Sequence, residues 1–346
     1  MKSAEGNMRM RKWIYTALLL AGFAALMPGF LRSQQGGAAN ADAAYEEELP
    51  TFRIGVDVSM VSVPVTVRNN TDGSFFKGLT QKSFRILEDG KEQEITFFTE
   101  EGLSTHLALV LDISGSVRSQ WGTIKYATSR FLEQLRPDDY FSLTTFNTDV
   151  SLKMPWGKKT DRVDDVLTSI YCKDNTALWD AIWLVSTEVF KGIDGKKVII
   201  IMSDGLDNDS LSSYADATRA AMENGIAIYV VSKTKALQQR IEYETPQGEY
   251  TQWEYRLHRE LAQAEAVLRR LAQNTGGRVL QPNSFGQLDD IYADVYEELR
   301  NQYTLGYISS NSAKDGSYRE IDVKVLTRDA PNVTVTARTG YYAPRK

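Results

Sequence analysis

Cysteine is almost missing from this chain. Cys172 stands alone among 346 residues, so no disulfide can form within it. It lies in Ile170-Tyr171-Cys172-Lys173-Asp174 and is read as a passive, partly buried thiol. Histidine is scarce as well: His106 and His258 are the only two, and neither has a second ligand at metal-binding spacing. That excludes a histidine-built zinc centre. No Gly-x-x-x-x-Gly-Lys phosphate loop occurs, nor a Gly-x-Ser-x-Gly nucleophile elbow. With no general base evident beside a nucleophile, the chain is not expected to be an enzyme. Basic clusters are absent from the body of the chain, and the formal net charge of all 346 residues is −5. A nucleic-acid partner is therefore not expected, because such surfaces neutralise phosphates with lysine and arginine. Internal repeats and long low-complexity tracts are lacking too.

What is present begins with an N-terminus unlike the rest. Lys2, Arg9, Arg11 and Lys12 precede the apolar run from Trp13 to Phe30. Small residues follow, and Ala39-Asn40-Ala41 precedes Asp42. Residues 1–41 are thus expected to be a signal peptide, with an uncleaved anchor as the alternative. Positive charge stays on the cytoplasmic side, so both readings export the remainder to the periplasm, cell surface or extracellular medium. A membrane enters only through such an anchor. Residues 42–50 read as a flexible leader.

The body of the chain changes texture twice. Residues 51–102 alternate in the β manner through Val61, Val63, Val65 and Val67. Val63-Pro64-Val65 suggests an edge strand or bulge, since proline cannot donate to a ladder. Phe84 to Leu87 and Ile95 to Phe98 read as a hairpin turning at Asp89-Gly90. Residues 103–302 alternate apolar runs with helical stripes, for example Val117, Trp121, Ile124, Thr128, Phe131 and Leu135. Such alternation implies a doubly wound α/β sheet, mostly parallel, with helices on both faces. Residues 233–256 break the rhythm and read as a surface loop, or alternatively a partner-binding insertion. Residues 303–346 return to β. The two β flanks are expected to pair with each other as one subdomain beside the α/β core, because isolated hairpins are marginal.

Three short runs within the α/β region carry chemistry: Asp112-Ile113-Ser114-Gly115-Ser116, Thr176 and Asp204. The first and last follow buried-strand runs, and loops at the carboxyl ends of strands converge on one crevice. Two carboxylates and three hydroxyls would meet there. An all-oxygen set suits a hard divalent cation, Mg2+ first, with Mn2+ or Ca2+ possible. Asp207 and Asp209 read as a solvated acidic loop, with an accessory cation site as the alternative. Trp156, Trp179, Trp183, Tyr341 and Tyr342 read mostly as core, with a binding rim as the alternative.

The Asp-x-Ser-x-Ser run with a distant threonine and a distant aspartate resembles the metal-ion-dependent adhesion site (MIDAS) of von Willebrand factor type A domains. Asn175-Thr176-Ala177-Leu178-Trp179-Asp180-Ala181 and Ile201-Met202-Ser203-Asp204-Gly205 are similar to the family's other two site segments. Gly78-Leu79-Thr80, Phe84-Arg85-Ile86-Leu87-Glu88-Asp89-Gly90, Asn301-Gln302-Tyr303-Thr304-Leu305-Gly306-Tyr307 and Arg338-Thr339-Gly340-Tyr341-Tyr342 resemble a bacterial secreted subfamily. The resemblance spans roughly residues 50 to 343. It implies that Ser114, Ser116 and Thr176 contact the metal, while Asp112 and Asp204 hold its waters and the serine hydroxyls. It also implies a Rossmann-like fold and a metal-dependent adhesion function. One position of the metal would take an Asp or Glu carboxylate from a protein or peptide partner. A structural or envelope-assembly scaffold, with the metal only steadying the loops, is the alternative.

Overall fold

In this computed structural model the described residues are 60–100, 104–158, 162–173, 175–244, 251–326 and 332–345. The expected signal peptide, residues 1–41, the expected leader, residues 42–50, and the start of the first β segment lie outside them. Four strands come first: β1 (Met60–Asn69), β2 (Phe84–Glu88), β3 (Lys91–Gln93) and β4 (Ile95–Thr99). The α/β region follows as β5 (Thr105–Asp112), α1 (Trp121–Glu133), β6 (Tyr140–Phe146), β7 (Val150–Gly157), α2 (Val163–Thr168) and α3 (Leu178–Leu184). It continues as β8 (Lys196–Ser203), α4 (Tyr214–Glu223), β9 (Ile226–Ser232), α5 (Thr234–Glu244), α6 (Gln252–Thr275), β10 (Val279–Leu280) and α7 (Leu288–Arg300). Last are β11 (Tyr303–Ile308), β12 (Tyr318–Val325), β13 (Val333–Thr336) and β14 (Gly340–Tyr342).

The central sheet runs β10-β9-β8-β5-β6-β7, and only β7 is antiparallel. Its middle strands are buried on both faces, as parallel strands under helices must be. Alternation along β5 sorts the two cores. Leu107, Leu109 and Leu111 face the side packed by α1, α2 and α7. Ala108 and Val110 face the side packed by α3, α4 and α6. The chain thus forms the doubly wound α/β sheet that the alternation of its sequence implies. Helix ends obey local chemistry: α6 starts with a reciprocal Thr251–Glu254 capping box and stops at Gly276 in the left-handed conformation. Among the described residues no helix is long and apolar enough to cross a membrane.

The flanking strands interleave. One antiparallel sheet runs β13-β1-β11-β4 and the other β14-β12-β2-β3, and the two share one core. Each sheet mixes strands from both ends of the α/β region. Pro64 lies where β1 pairs with β11 but not with β13, whose pairing begins at Thr66, so its missing donor leaves no gap in a second ladder. Two local expectations need correction. The Asp89-Gly90 turn joins β2 to β3, whereas Ile95–Thr99 crosses to the other sheet and pairs with β11. The stretch after Lys233 opens as helix α5 rather than as a loop. It holds no glycine or proline before Pro246, and lysine, alanine, leucine and glutamine favour helix even where the apolar stripe is faint.

Buried charge docks the β flanks on the core. Glu298 of α7 accepts from Arg68 Nη2 at 2.9 Å, Arg278 Nε at 2.5 Å, Tyr229 Oη at 3.0 Å and Thr66 Oγ1 at 3.4 Å. Arg68 and Thr66 belong to β1, so one carboxylate joins the two regions. Within the sandwich, Glu88 takes Tyr307 Oη at 2.8 Å and Tyr341 Oη at 3.0 Å, linking its two sheets. At the start of β8, buried Lys196 donates to the Leu299 carbonyl. Burial pushes its pKa down to about 7, with Asp139 and Glu298 working in the other direction.

Two outcomes are expected. Glu298→Leu leaves two guanidinium groups short of their shared counter-charge and lowers unfolding free energy by about 3–5 kcal/mol in urea titrations. Lys196 is charged in both states below about 7. Between there and the ordinary lysine range, the unfolded chain holds the extra proton, so stability rises with pH. The Lys196→Met variant flattens that rise by on the order of 1 kcal/mol per pH unit, measured between pH 7 and 9.

Candidate functional site

Strands β5, β8 and β9 are neighbours, and their registers end level: Leu111 lies beside Met202, and Ser203 beside Ser232. Asp112 follows Leu111 and ends β5 level with Ser203; one residue further along, Asp204 and Lys233 leave β8 and β9 side by side. The order of strands reverses at β5, with β6 on one side and β8 on the other, and ligand crevices form at such a switch.

Asp112 and Asp204 are handled alike. One oxygen of each closes a tight turn on its own loop: Asp112 Oδ1 accepts Ser114 N–H at 2.8 Å, and Asp204 Oδ1 accepts Leu206 N–H at 3.1 Å. The other oxygen of each meets Lys233, Asp112 Oδ2 at 2.7 Å from Nζ and Asp204 Oδ2 at 3.3 Å. Lys233 Nζ also donates to Ser116 Oγ at 3.2 Å, and Ser116 Oγ lies 3.0 Å from Ser114 Oγ. Asp112 and Lys233 are sealed from solvent, whereas Ser116 is exposed and marks the open side. Burial opposes the charge of Lys233, but Asp112 and Asp204 outweigh it and hold the ammonium above the ordinary lysine range. Gly205 sits at φ +79°, and a Cβ there would lie 2.8 Å from Leu268 Cδ1, so glycine sets how the Asp204 loop leaves β8.

Thr176 arrives by a separate route. Its N–H donates to Asn208 Oδ1 at 2.9 Å, and its carbonyl accepts Asn208 N–H at 3.1 Å and Asp209 N–H at 3.2 Å. The residue is buried, just ahead of α3. Asp207 and Ser210 finish the junction: Asp207 Oδ1 accepts Leu178 N–H at 2.8 Å, and Ser210 Oγ accepts Trp179 N–H at 3.0 Å. The loop after β8 thus caps α3, which gives Asp207 a structural partner. Around Lys233 the structure gathers Asp112, Ser116 and Asp204, with Ser114 reached through Ser116. Thr176 is tied to the same loops by its backbone.

The rim carries two exposed apolar side chains, Tyr171 at 80% exposure and Leu211 at 83%, one on each loop that frames Thr176. Beside Ser116 opens a cavity of about 340 Å3 between Gln120, Leu237 and Phe285. A larger cavity, about 530 Å3, lies at the opposite ends of the strands against Lys196 and Lys197, away from this chemistry. Trp179 packs edge-on against Tyr214 and Trp156 packs at a tilt against Phe190, so these two tryptophans serve packing. Burial pushes the Cys172 thiol up, as expected of a passive cysteine.

In kind, the donors match a hard cation: oxygens only, with carboxylates on two adjacent strands. The oxygens that would face an ion or its waters are Asp112 Oδ2 and Asp204 Oδ2, and both are on Lys233. Sequence reasoning passed over this lysine because Ser232-Lys233-Thr234 opens a polar stretch. The available signal was position: the run Ile226–Ser232 ends level with the other two strands, and the residue after it is a cation.

Replacing Asp112 by Asn strips the ammonium of one of two counter-charges and lowers stability by about 3 kcal/mol. In the Asp112→Asn/Lys233→Met double variant the losses are less than additive, because the stranded charge has gone. Additive losses in urea unfolding would show that the pair does not hold the loops.

A family model for the von Willebrand factor type A domain matches residues 106–294. Among solved structures, BatB from Bacteroides thetaiotaomicron is 20% identical, with 56% of this chain and 98% of that chain covered and a TM-score of 0.41. Proximal thread matrix protein 1 from the mussel byssus, solved with a zinc-occupied MIDAS motif, is 16% identical over 60% of this chain and 48% of that one, with a TM-score of 0.44. A von Willebrand factor type A structure from Catenulispora acidiphila is 10% identical over 84% and 75%, with a TM-score of 0.44. No curated protein matches the chain.

Proposed function

The chain belongs to the von Willebrand factor type A domain family, and on that premise we propose that it is an exported, non-enzymatic module that binds a protein partner. The recognition face is the rim of the Asp112, Thr176 and Asp204 loops. The observation that carries the reading is the convergence of two buried carboxylates, from the adjoining ends of β5 and β8, on one point where loops open to solvent at Ser116. Asp112, Ser114, Ser116, Thr176 and Asp204 are the residues that would hold a divalent cation, Mg2+ by the hardness of their oxygens. When bound, such an ion supplies a Lewis-acidic position for an Asp or Glu of the partner. The residues of the chain do the rest. Backbone turns at Ser114 and Leu206 orient the carboxylates, and the Asn208 clasp positions Thr176. Tyr171 and Leu211 offer apolar contact on the two sides of the crevice. Both carboxylates are engaged, so neither stands free as a general base.

A second reading is favoured by Lys233. An internal ammonium already ties the three strand ends together, so a scaffold whose loops need no metal fits the same geometry. Binding experiments separate the two. With a panel of acidic peptides followed by fluorescence polarisation, the first reading expects binding in Mg2+, loss in EDTA and loss in Asp204→Ala. In Leu211→Asp it expects affinity to fall about tenfold while the fold is unchanged. Partner binding that survives both EDTA and Asp204→Ala supports the scaffold.

A further inference from the structure

We propose that Lys233 is this chain's own occupant of the cation position, and that a divalent ion enters only by displacing its ammonium from Asp112 and Asp204. The inference rests on reading the crevice as a cation site, and adds what governs its affinity. An ammonium has three N–H donors. Here they have three acceptors, Asp112 Oδ2, Asp204 Oδ2 and Ser116 Oγ. No donor is left over for a partner's carboxylate, so the lysine does not stand in for the metal in recognition. It neutralises the crevice and closes it.

The placement is specific. The Lys233 N–H bonds the Ser203 carbonyl at 3.1 Å, which continues the β9–β8 ladder one residue beyond the strand. Its carbonyl accepts Leu237 N–H at 3.0 Å, the first bond of α5. The backbone is therefore fastened on both sides, and the side chain must cross β8 to reach Asp112 on β5. A cation at a helix N-terminus opposes the helix dipole. What compensates is the pair of carboxylates, and α5 begins where it does with Lys233 facing them. Ser232 and Thr234 hold the neighbouring positions: Ser232 Oγ donates to Glu265 Oε2 at 2.5 Å, and Thr234 Oγ1 donates to the Asp204 carbonyl at 3.3 Å.

Competition follows from charge and from tethering. Two carboxylates with one ammonium leave a single net negative charge, and a dication added without expelling the lysine would sit against a buried like charge. Being part of the chain, the ammonium acts at a high effective concentration that a free ion must overcome. An ion that succeeds has to move Lys233 out on the side of Ser116, which is exposed and borders the 340 Å3 cavity.

Calorimetric titration of metal-stripped protein with Mg2+ and with Mn2+ tests this, alongside thermal unfolding with and without Mn2+. The parent is expected to take up ions only weakly, and its melting temperature should stay put at micromolar Mn2+. Lys233→Met is expected to bind one ion at least thirtyfold more tightly and to gain melting temperature on adding it. The gain should vanish in Lys233→Met/Asp112→Asn. Lys233→Gln keeps two donors without the charge and serves if the methionine variant fails to fold; it too should bind more tightly than the parent. Equal affinity in the parent and the lysine variants overturns the proposal while leaving metal-dependent binding in place. Folded variants that all ignore both ions overturn the proposal and the metal-dependent reading together.

Discussion

Two carboxylates on adjacent strands, both buried, cannot be left without positive charge. The rest of the site is arranged around that constraint. Asp112 at the end of β5 and, one residue further along, Asp204 and Lys233 after β8 and β9 converge, and each aspartate splits its oxygens between its own loop and the lysine ammonium. Loop shape and charge balance are thus one problem with one solution. Gly205, the Asn208 clasp on Thr176 and the Asp207 cap on α3 all lie on the loop that Asp204 opens and hold it in place. Isolated buried charges would cost far more than the hydrogen bonds around them return.

The α/β architecture was legible because its signals are local. Apolar runs of strand length alternate with helical stripes, and the hydroxyl and carboxylate residues stand where strands end. What escaped was non-local. Lys233 has nothing in its neighbourhood of sequence to mark it, and its partners are 121 positions away at Asp112 and at Asp204 on the next strand. Helix α5 was missed for a different reason: its apolar stripe is weak, while the backbone preference of its residues is helical. The destination of Ile95–Thr99 was also invisible, because two short strands after a turn look like a hairpin partner whichever sheet takes the second of them.

The interleaved flanks show how the α/β core is framed. Neither sheet of the sandwich can be built from the strands before the core or after it alone. Glu298 then fixes β1 to α7 through Arg68 and Thr66, with Arg278 and Tyr229 completing its shell. The last helix of the core is thereby held against a common β platform, whose β1 borders the cavity at the strand ends opposite the Lys233 crevice.

That interleaving has a bearing on how the molecule comes to exist. Pairs such as Val63 with Leu305 and Ile86 with Val323 join residues more than two hundred positions apart. A chain delivered from its N-terminus would present β1 to β4 long before their partners arrived, with open ladder edges and valine-rich faces in water. The core, whose strand contacts are nearer in sequence, can assemble in that interval. The last forty residues then act as a clasp that shuts the sandwich, at the loop-closure cost that long-range β pairing carries.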